Sequence, residues 1–157
     1  MKKLIIASAT LALVAGVGLM KAEAATSDVV TVTVTLATVS VSVSPDAWAL
    51  TDVVGVVTSG TYTATNDCIM TSSETLTIQC GAGATWTISA TAAGANEFVM
   101  KAQGGDLTEA TEIATAQILE TPVAQGEFVN FTLEFTPPAS STVASDSMDV
   151  TVTATAA

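Results

Sequence analysis

The sequence contains no histidine and no arginine, and three of its four lysines lie within the first 21 residues. Nucleic-acid binding depends on lysine and arginine contacts to phosphates, so a chain this poor in cations is not expected to bind DNA or RNA. Without histidine it cannot use the commonest acid–base catalyst or a zinc site with histidine ligands. The sequence therefore predicts a protein that is not an enzyme and has no nucleic-acid partner.

Charged and aromatic residues are also scarce, at 12% and 4% of the chain. A disordered acidic tail would have a higher charge and fewer β-branched residues. The chain instead has 49% apolar residues, with much valine and alanine beside abundant threonine. This composition is typical of a globular β protein.

The first 24 residues have the pattern of a secretory signal peptide. A basic Met1-Lys2-Lys3 precedes an uncharged apolar stretch from Leu4 to Leu19, and Ala22-Glu23-Ala24 has the small residues of a cleavage site. The apolar stretch is shorter than the roughly 20 residues that a membrane-spanning helix needs. We therefore expect a cleaved leader over residues 1–24. The remaining chain would be secreted or lie at the cell surface of a prokaryote, without membrane insertion after cleavage.

Residues 25–157 retain 14 carboxylates and a single lysine, Lys101. Because Lys101 lies between Met100 and Ala102, it is expected on the strand face opposite to Phe98. The simplest interpretation is a solvent-facing side chain. One alternative is an ion pair with an acidic residue of a neighbouring subunit, and another is an isopeptide bond to Asn130 or Asn96.

The chain has two cysteines, Cys68 and Cys80, and both follow the predicted leader. An even number of cysteines in an oxidising compartment most often forms disulfides. The sequence therefore predicts a structural disulfide between Cys68 and Cys80, with two separate buried thiols as the alternative.

The segment after the leader alternates between apolar residues and threonine. Val30, Val32, Val34 and Leu36 share one face, which predicts a half-buried strand. At Ala37-Thr38 the alternation changes phase, and such a change turns the buried face over. We therefore predict an N-terminal strand over residues 25–37 and a separate domain over 38–157. This strand could fold back as an edge strand of its own sheet, or protrude and complete the sheet of another copy.

Alternation recurs along the rest of the chain, between turn signals rich in glycine, proline and asparagine. The segments with a shared apolar face lie around 39–43, 62–64, 74–80, 86–90, 98–102, 128–135 and 148–154. Seven or eight short strands with this spacing predict an all-β, antiparallel β-sandwich of the immunoglobulin-like or jelly-roll kind. Residues 107–119 lack clear alternation, and a short helix and an irregular crossover both remain open for them.

Few residues are candidates for a ligand site. Asp106 and Glu109 follow Gly104-Gly105 on a predicted loop and form a weak candidate calcium site, because calcium prefers oxygen ligands. No other cofactor is expected. Trp48 and Trp86 could stack on sugars, although Trp86 shares the inward phase of Ile88, which favours core packing.

The loop and strand Thr58-Ser59-Gly60-Thr61-Tyr62-Thr63-Ala64-Thr65-Asn66-Asp67 closes on Asn-Asp after a valine-rich first strand. In this respect the chain resembles secreted fibre subunits of the TasA/camelysin type and archaeal bundling pilins. The likeness covers 29–67 and the last strand, 149–154. It implies a sandwich that assembles through a donated N-terminal strand. The chain lacks the near-terminal aromatic residue of usher-dependent pilins and the retained apolar helix of type IV pilins.

Together these features predict an exported structural protein, the subunit of a self-assembling extracellular or surface filament held together by β-strand complementation. Its partners would be copies of itself. The alternative is a monomeric cell-surface adhesin or carbohydrate-binding module.

Overall fold

A computed structural model describes residues 39–51, 53–69 and 73–157, and within these ranges it contains ten β-strands and no helix. The predicted all-β, antiparallel sandwich is therefore confirmed. No segment of the described ranges is a helix that could cross a membrane. The chain divides into two units, residues 1–36 and 37–157, and all ten strands belong to the second.

The strands, in chain order, are β1 (Val41–Ser44), β2 (Val57–Thr58), β3 (Tyr62–Asn66), β4 (Glu74–Cys80), β5 (Thr87–Ile88), β6 (Glu97–Gly104), β7 (Leu107–Glu112), β8 (Gln117–Val123), β9 (Phe128–Thr136) and β10 (Val150–Ala156). There are more strands than the sequence predicts, for two reasons. Strand β2 has two residues, too few to show alternation, and residues 107–119 contain β7 and the start of β8, whereas β5 lies within the predicted segment 86–90.

The larger sheet has seven strands, with β9 and β6 at its centre. Its main path is β1-β3-β9-β6-β5, while β2 also pairs with β9 and β7 also pairs with β6. The pairings are antiparallel except for the short β5–β6 pair. The smaller sheet has three strands in the order β10-β4-β8, all antiparallel.

The core lies between the two sheets and contains the apolar residues that the alternation predicts. Leu76 and Ile78 of the smaller sheet and Phe98 of the larger sheet are completely buried. The remaining buried core side chains are Tyr62, Ala64, Cys80, Met100, Ala102, Ile113, Leu119, Val123, Val129, Phe131, Leu133 and Phe135. Aromatic rings join the strands across this core: Phe98 lies 5.8 Å from Phe135, measured between ring centroids.

The segment 107–119, which the sequence left open, is strand rather than helix. A two-residue turn, Gly105-Asp106, connects β6 to β7. Gly105 has φ +57, and a Cβ there would collide with the carbonyl oxygen of Leu119, so glycine is needed at this position. Alternation is absent because β7 is an edge strand whose residues are exposed or half-buried on both faces.

The outer face of the smaller sheet is a regular array of threonines. Thr151, Thr153 and Thr155 of β10 pair with Gln79, Thr77 and Thr75 of β4. The array continues to β8, where the hydroxyls of Thr75 and Thr121 lie 2.7 Å apart. Strands β10 and β4 thus each have an apolar inner face, with Val150 and Val152 in β10 and Leu76 and Ile78 in β4, and a threonine-rich outer face in contact with solvent.

We expect replacement of a buried side chain of β4 to be far more damaging than replacement of an outward one. Ile78→Ala removes apolar contacts from a fully buried position and should lower the free energy of unfolding by about 2–5 kcal/mol. Thr153→Ala on the exposed face should change it by less than about 0.5 kcal/mol. Urea unfolding followed by tryptophan fluorescence measures both; equal losses would contradict this assignment of faces.

Candidate functional site

In the described part of the chain, β10 is the one long edge strand without features that hinder pairing with a further strand. There it pairs with β4 and with no other strand. Its seven residues contain no charge, no proline and no bulge, which are the devices that usually prevent an edge from pairing with another chain. Its free edge can therefore accept a further strand.

The other edge strands are short, charged or covered: β5 has two residues, and β7 carries Glu109 and Glu112. Strand β1 has four residues and is followed by Pro45. Strand β8 is covered by the β6–β7 turn, where Asp106 N donates to Leu119 O at 2.9 Å and the Asp106 carboxylate accepts from Thr121 N at 3.2 Å. The contrast with β10 makes β10 the candidate site.

An apolar groove of about 240 Å³ runs beside β10, between it and β1. Core aromatic residues reach it: Tyr62 and Phe131, stacked with centroids 5.5 Å apart, contribute to its lining. Val150 and Val152 of β10 are only half-buried here. The core is thus incompletely covered along this edge, and inward side chains of an added strand would complete it.

The groove continues into a wider trough of about 690 Å³ at one end of the sandwich. The two depressions share the lining residues Trp48, Leu50, Phe135 and Met148. In the trough Trp86 stacks on Phe135 at 6.4 Å and donates its Nε1 hydrogen to Ser141 Oγ at 2.7 Å. Packing of Trp86 against the core confirms the interpretation of its inward phase.

The wall of the trough is held by the carboxylate of Asp146. It accepts hydrogen bonds from the backbone N–H groups of Trp86 and Thr85, both at 2.7 Å, and from those of Ala84 and Ser147. These bonds, the one from Trp86 first, lower the pKa of Asp146 from 3.8 to about 2, because each favours the ionised form. The sequence analysis missed this residue, since a lone aspartate in a serine-rich loop carries no pattern.

A buried carboxylate, that of Glu74, fixes the start of β1. Glu74 is fully buried at the first position of β4, and its Oε1 accepts the Ser40 N–H at 2.8 Å. No hydrogen-bond partner is found for its Oε2 among the described residues. Glu74 pairs with Ala156 at the end of β10. Ser40 therefore lies at the end of the sandwich opposite to the Trp48–Trp86 trough.

Lys101 lies on the outer face of β6, opposite to Phe98, as predicted. Its Nζ lies 3.7 Å from Glu134 Oε1 of the same chain, and both side chains are 31% exposed. On its other side β7 places Glu112 directly opposite. Lys101 thus has an acidic neighbour within its own chain, and an ion pair between subunits stays a prediction.

The candidate calcium residues do not form a cluster. Asp106 is part of the β6–β7 turn, while Glu109 is exposed in the middle of β7. No group of three or more acidic or cysteine side chains placed to hold a metal ion occurs in the ranges 39–51, 53–69 and 73–157. The structure instead gives Asp106 a role in holding the turn against β8.

The predicted disulfide is corrected by the structure, in which Cys68 and Cys80 are both buried and are not joined to each other. Cys68 N donates to Asn66 Oδ1, and Asn66 Nδ2 donates to Val123 O, opposite Glu74. Cys80 lies at the other end of β4, about 20 Å along the strand. A disulfide requires Cα atoms within about 7 Å, so β4 itself keeps the two residues apart.

The predicted intersubunit strand, with Val30, Val32, Val34 and Leu36, lies outside the described residues, as does the predicted leader. What the structure does describe is the edge and groove that such a strand would need. The sequence analysis identified β10 as a strand but not as the unprotected edge, because edge position depends on pairings between distant segments.

We predict that the contribution of Asp146 to stability depends on pH. Its pKa is lowered in the folded state, so its contribution is fully present above its ordinary value near 3.8 and is lost as the pH falls towards about 2. Asp146→Asn should lower the melting temperature at neutral pH. This difference from the original protein should vanish by about pH 2. Glu109→Gln, which removes an exposed carboxylate elsewhere, should show no such convergence.

We also predict that Cys80 is an inert thiol in the folded protein. Burial, aided by the negative charge of Asp149, raises the pKa of Cys80 to about 12, and alkylation requires the thiolate. At about pH 8 iodoacetamide should label Cys80 only after a denaturant is added, with no reductant. If Cys80 were labelled only after a reductant is added, the result would instead support the predicted disulfide. Mass spectrometry of the labelled peptides distinguishes the two results.

Comparisons with known proteins return no match: no protein-family model, no curated protein and no solved structure corresponds to this chain. The resemblance to TasA/camelysin fibre subunits and bundling pilins therefore stays a prediction. The function has to be inferred from the edge, the groove and the sequence that precedes them.

Proposed function

We propose that this protein is an exported structural subunit that polymerises into an extracellular or surface filament by β-strand complementation. The observation that carries the proposal is the β10 edge, which is long, uncharged and unpaired on one side within the described residues. An edge of this kind is a template for a further strand. Where each copy donates one strand and accepts another, head-to-tail contacts generate an open polymer.

The chain itself contains a segment suited to this edge. Residues 29–38 include no charge, proline or glycine, and Val30, Val32, Val34 and Leu36 fall on one face. Placed beside β10, these side chains would extend the core into the groove lined by Tyr62 and Phe131. Burial of a valine or leucine side chain stabilises by roughly 1.5–3 kcal/mol before the ordering entropy is subtracted.

The outward-facing residues of the donor segment and of β10 are also of the same kind, since both are threonines. The threonines of residues 29–38 would continue the threonine array of β10 and β4 on the solvent face. Both the donor and the acceptor strand are uncharged, so no charged side chain lies within the paired positions themselves, although Asp46 and Asp149 line the groove. The leader-like residues 1–24 support export before assembly, since they carry the pattern of a signal peptide.

The alternative, a sugar-binding or adhesive module, would use the Trp48–Trp86 trough. Its polar groups argue against this use. The Ser141 hydroxyl already donates to Val143 O and accepts from Trp86, and the Asp146 carboxylate accepts four backbone N–H groups. Sugar recognition needs such groups to be available for hydroxyls. The alternative predicts binding to a glycan array that Trp48→Ala abolishes.

The proposal predicts that a charge on the inward face of the donor segment prevents assembly. Val34→Asp places a carboxylate where the donor strand would enter the groove, so electron microscopy of the secreted protein should show only monomers. Thr33→Asp, one residue away on the outward face, is the matched control and should still form filaments. Filaments from both variants, or monomers of the original protein at every concentration, would contradict the proposal.

A further inference from the structure

We infer that the strand added to β10 comes from a second copy and runs antiparallel to β10, with Leu36 beside Val150 and Val30 beside Ala156. This inference rests on the proposed function and adds to it the direction, the register and the source of the donated strand. It follows from where β1 begins, from the length of the chain before it, and from the phase of the two strands.

The position of Ser40 sets the starting point. Its N–H is bound to Glu74, which pairs with Ala156, so the chain enters the sandwich beside the C-terminal end of β10. From there β1 runs away from that end, since Val41 pairs with Asn66 and Ser44 with Thr63. A segment that continued the direction of β1 backwards from Ser40 would extend beyond this end of the sandwich, where a second copy could receive it.

Chain length excludes the chain's own segment from antiparallel addition. In that orientation Leu36 would lie beside Val150, at the far end of β10, about 20 Å along the strand from Ala156. The four steps from Leu36 to Ser40 span at most about 14 Å when fully extended. The chain's own segment could therefore lie beside β10 only in parallel, after reversing its direction between residues 36 and 40.

The antiparallel register matches both strands over their full length. The segment Val30–Leu36 and strand β10 have seven residues each. Directly opposite residues point to the same side of a sheet, so the inward pairs are Leu36 with Val150, Val34 with Val152 and Val32 with Ala154. Antiparallel pairing is also slightly more stable per residue than parallel pairing. A one-residue shift would turn the valines of the donor outward.

The outward pairs are threonines, and they identify the direction of the added strand. In the antiparallel register Thr35 lies beside Thr151 and Thr31 beside Thr155. In a parallel arrangement of the same span, Thr35 would lie beside Thr155 instead. Positions 151 and 155 are about 13 Å apart, and directly opposite Cβ atoms are about 4.5–5.5 Å apart. Only one of the two positions can therefore be bridged from residue 35.

The test is disulfide trapping in filaments of the full secreted chain. The double variant Thr35→Cys/Thr151→Cys should, under mild oxidation, convert most of the monomer into a ladder of covalent multimers in denaturing, non-reducing gels. Thr35→Cys/Thr155→Cys, the matched control, should give less than a tenth of that conversion. Both variants replace threonines, at position 151 or 155 on an exposed face, and melting temperatures within a few degrees of the original would show that the fold is kept.

The outcomes distinguish a failure of this inference from a failure of the proposed function. A ladder from the 35/151 variant supports a second copy in antiparallel register. Monomers linked internally through 35 and 155 would show that the chain's own segment fills the edge in parallel, which overturns the inference. Filaments in the microscope with no 35/151 link overturn it as well but keep the filament function. Absence of filaments from the original protein overturns the proposed function itself.

Discussion

Each long inner strand of this sandwich has one apolar and one polar face, and burial of the apolar faces is the constraint on which the rest of the structure depends. In the larger sheet, β9 and β6 have paired strands on both sides, and their inward side chains Phe98 and Phe131 are almost completely buried. The smaller sheet meets this constraint only in part, because Val150 and Val152 remain half-buried beside the groove. The candidate site is thus the edge at which the apolar face of the smaller sheet is only partly buried.

Alternation in the sequence predicted most strands that have one buried face, but it missed β8, whose pairing with β4 contains register shifts. Leu76, Ile78 and Phe98 all lie inward as expected. The method fails where burial does not alternate, as in the exposed edge strand β7, and where strands are too short to show a period. The cysteines show a different limit, since their number suggested a bond while a strand placed between Cys68 and Cys80 keeps them apart.

The candidate site was only partly accessible from the sequence. The donor pattern of Val30 and Val34 is local and can be read directly. The acceptor is not local, because the exposure of β10 follows from the pairing of residues 74–80 with 150–156 and from the lack of a further partner in the described residues. Glu74 and Asp146 carry no motif either, and their roles come from backbone N–H groups supplied by distant segments. An unprotected sheet edge is therefore a tertiary feature that a local sequence pattern does not reveal.

The position of Lys101 has a consequence for durability. A trypsin-like protease cleaves after lysine or arginine, and residues 39–157 contain one such position. The bond between Lys101 and Ala102 lies in the middle of β6, which is paired with β9 on one side and β7 on the other. Proteolysis requires a locally unfolded segment, and the opening of a central strand requires most of the free energy of global unfolding. The single lysine of residues 39–157 thus lies in a strand that such enzymes cannot cleave while the domain is folded.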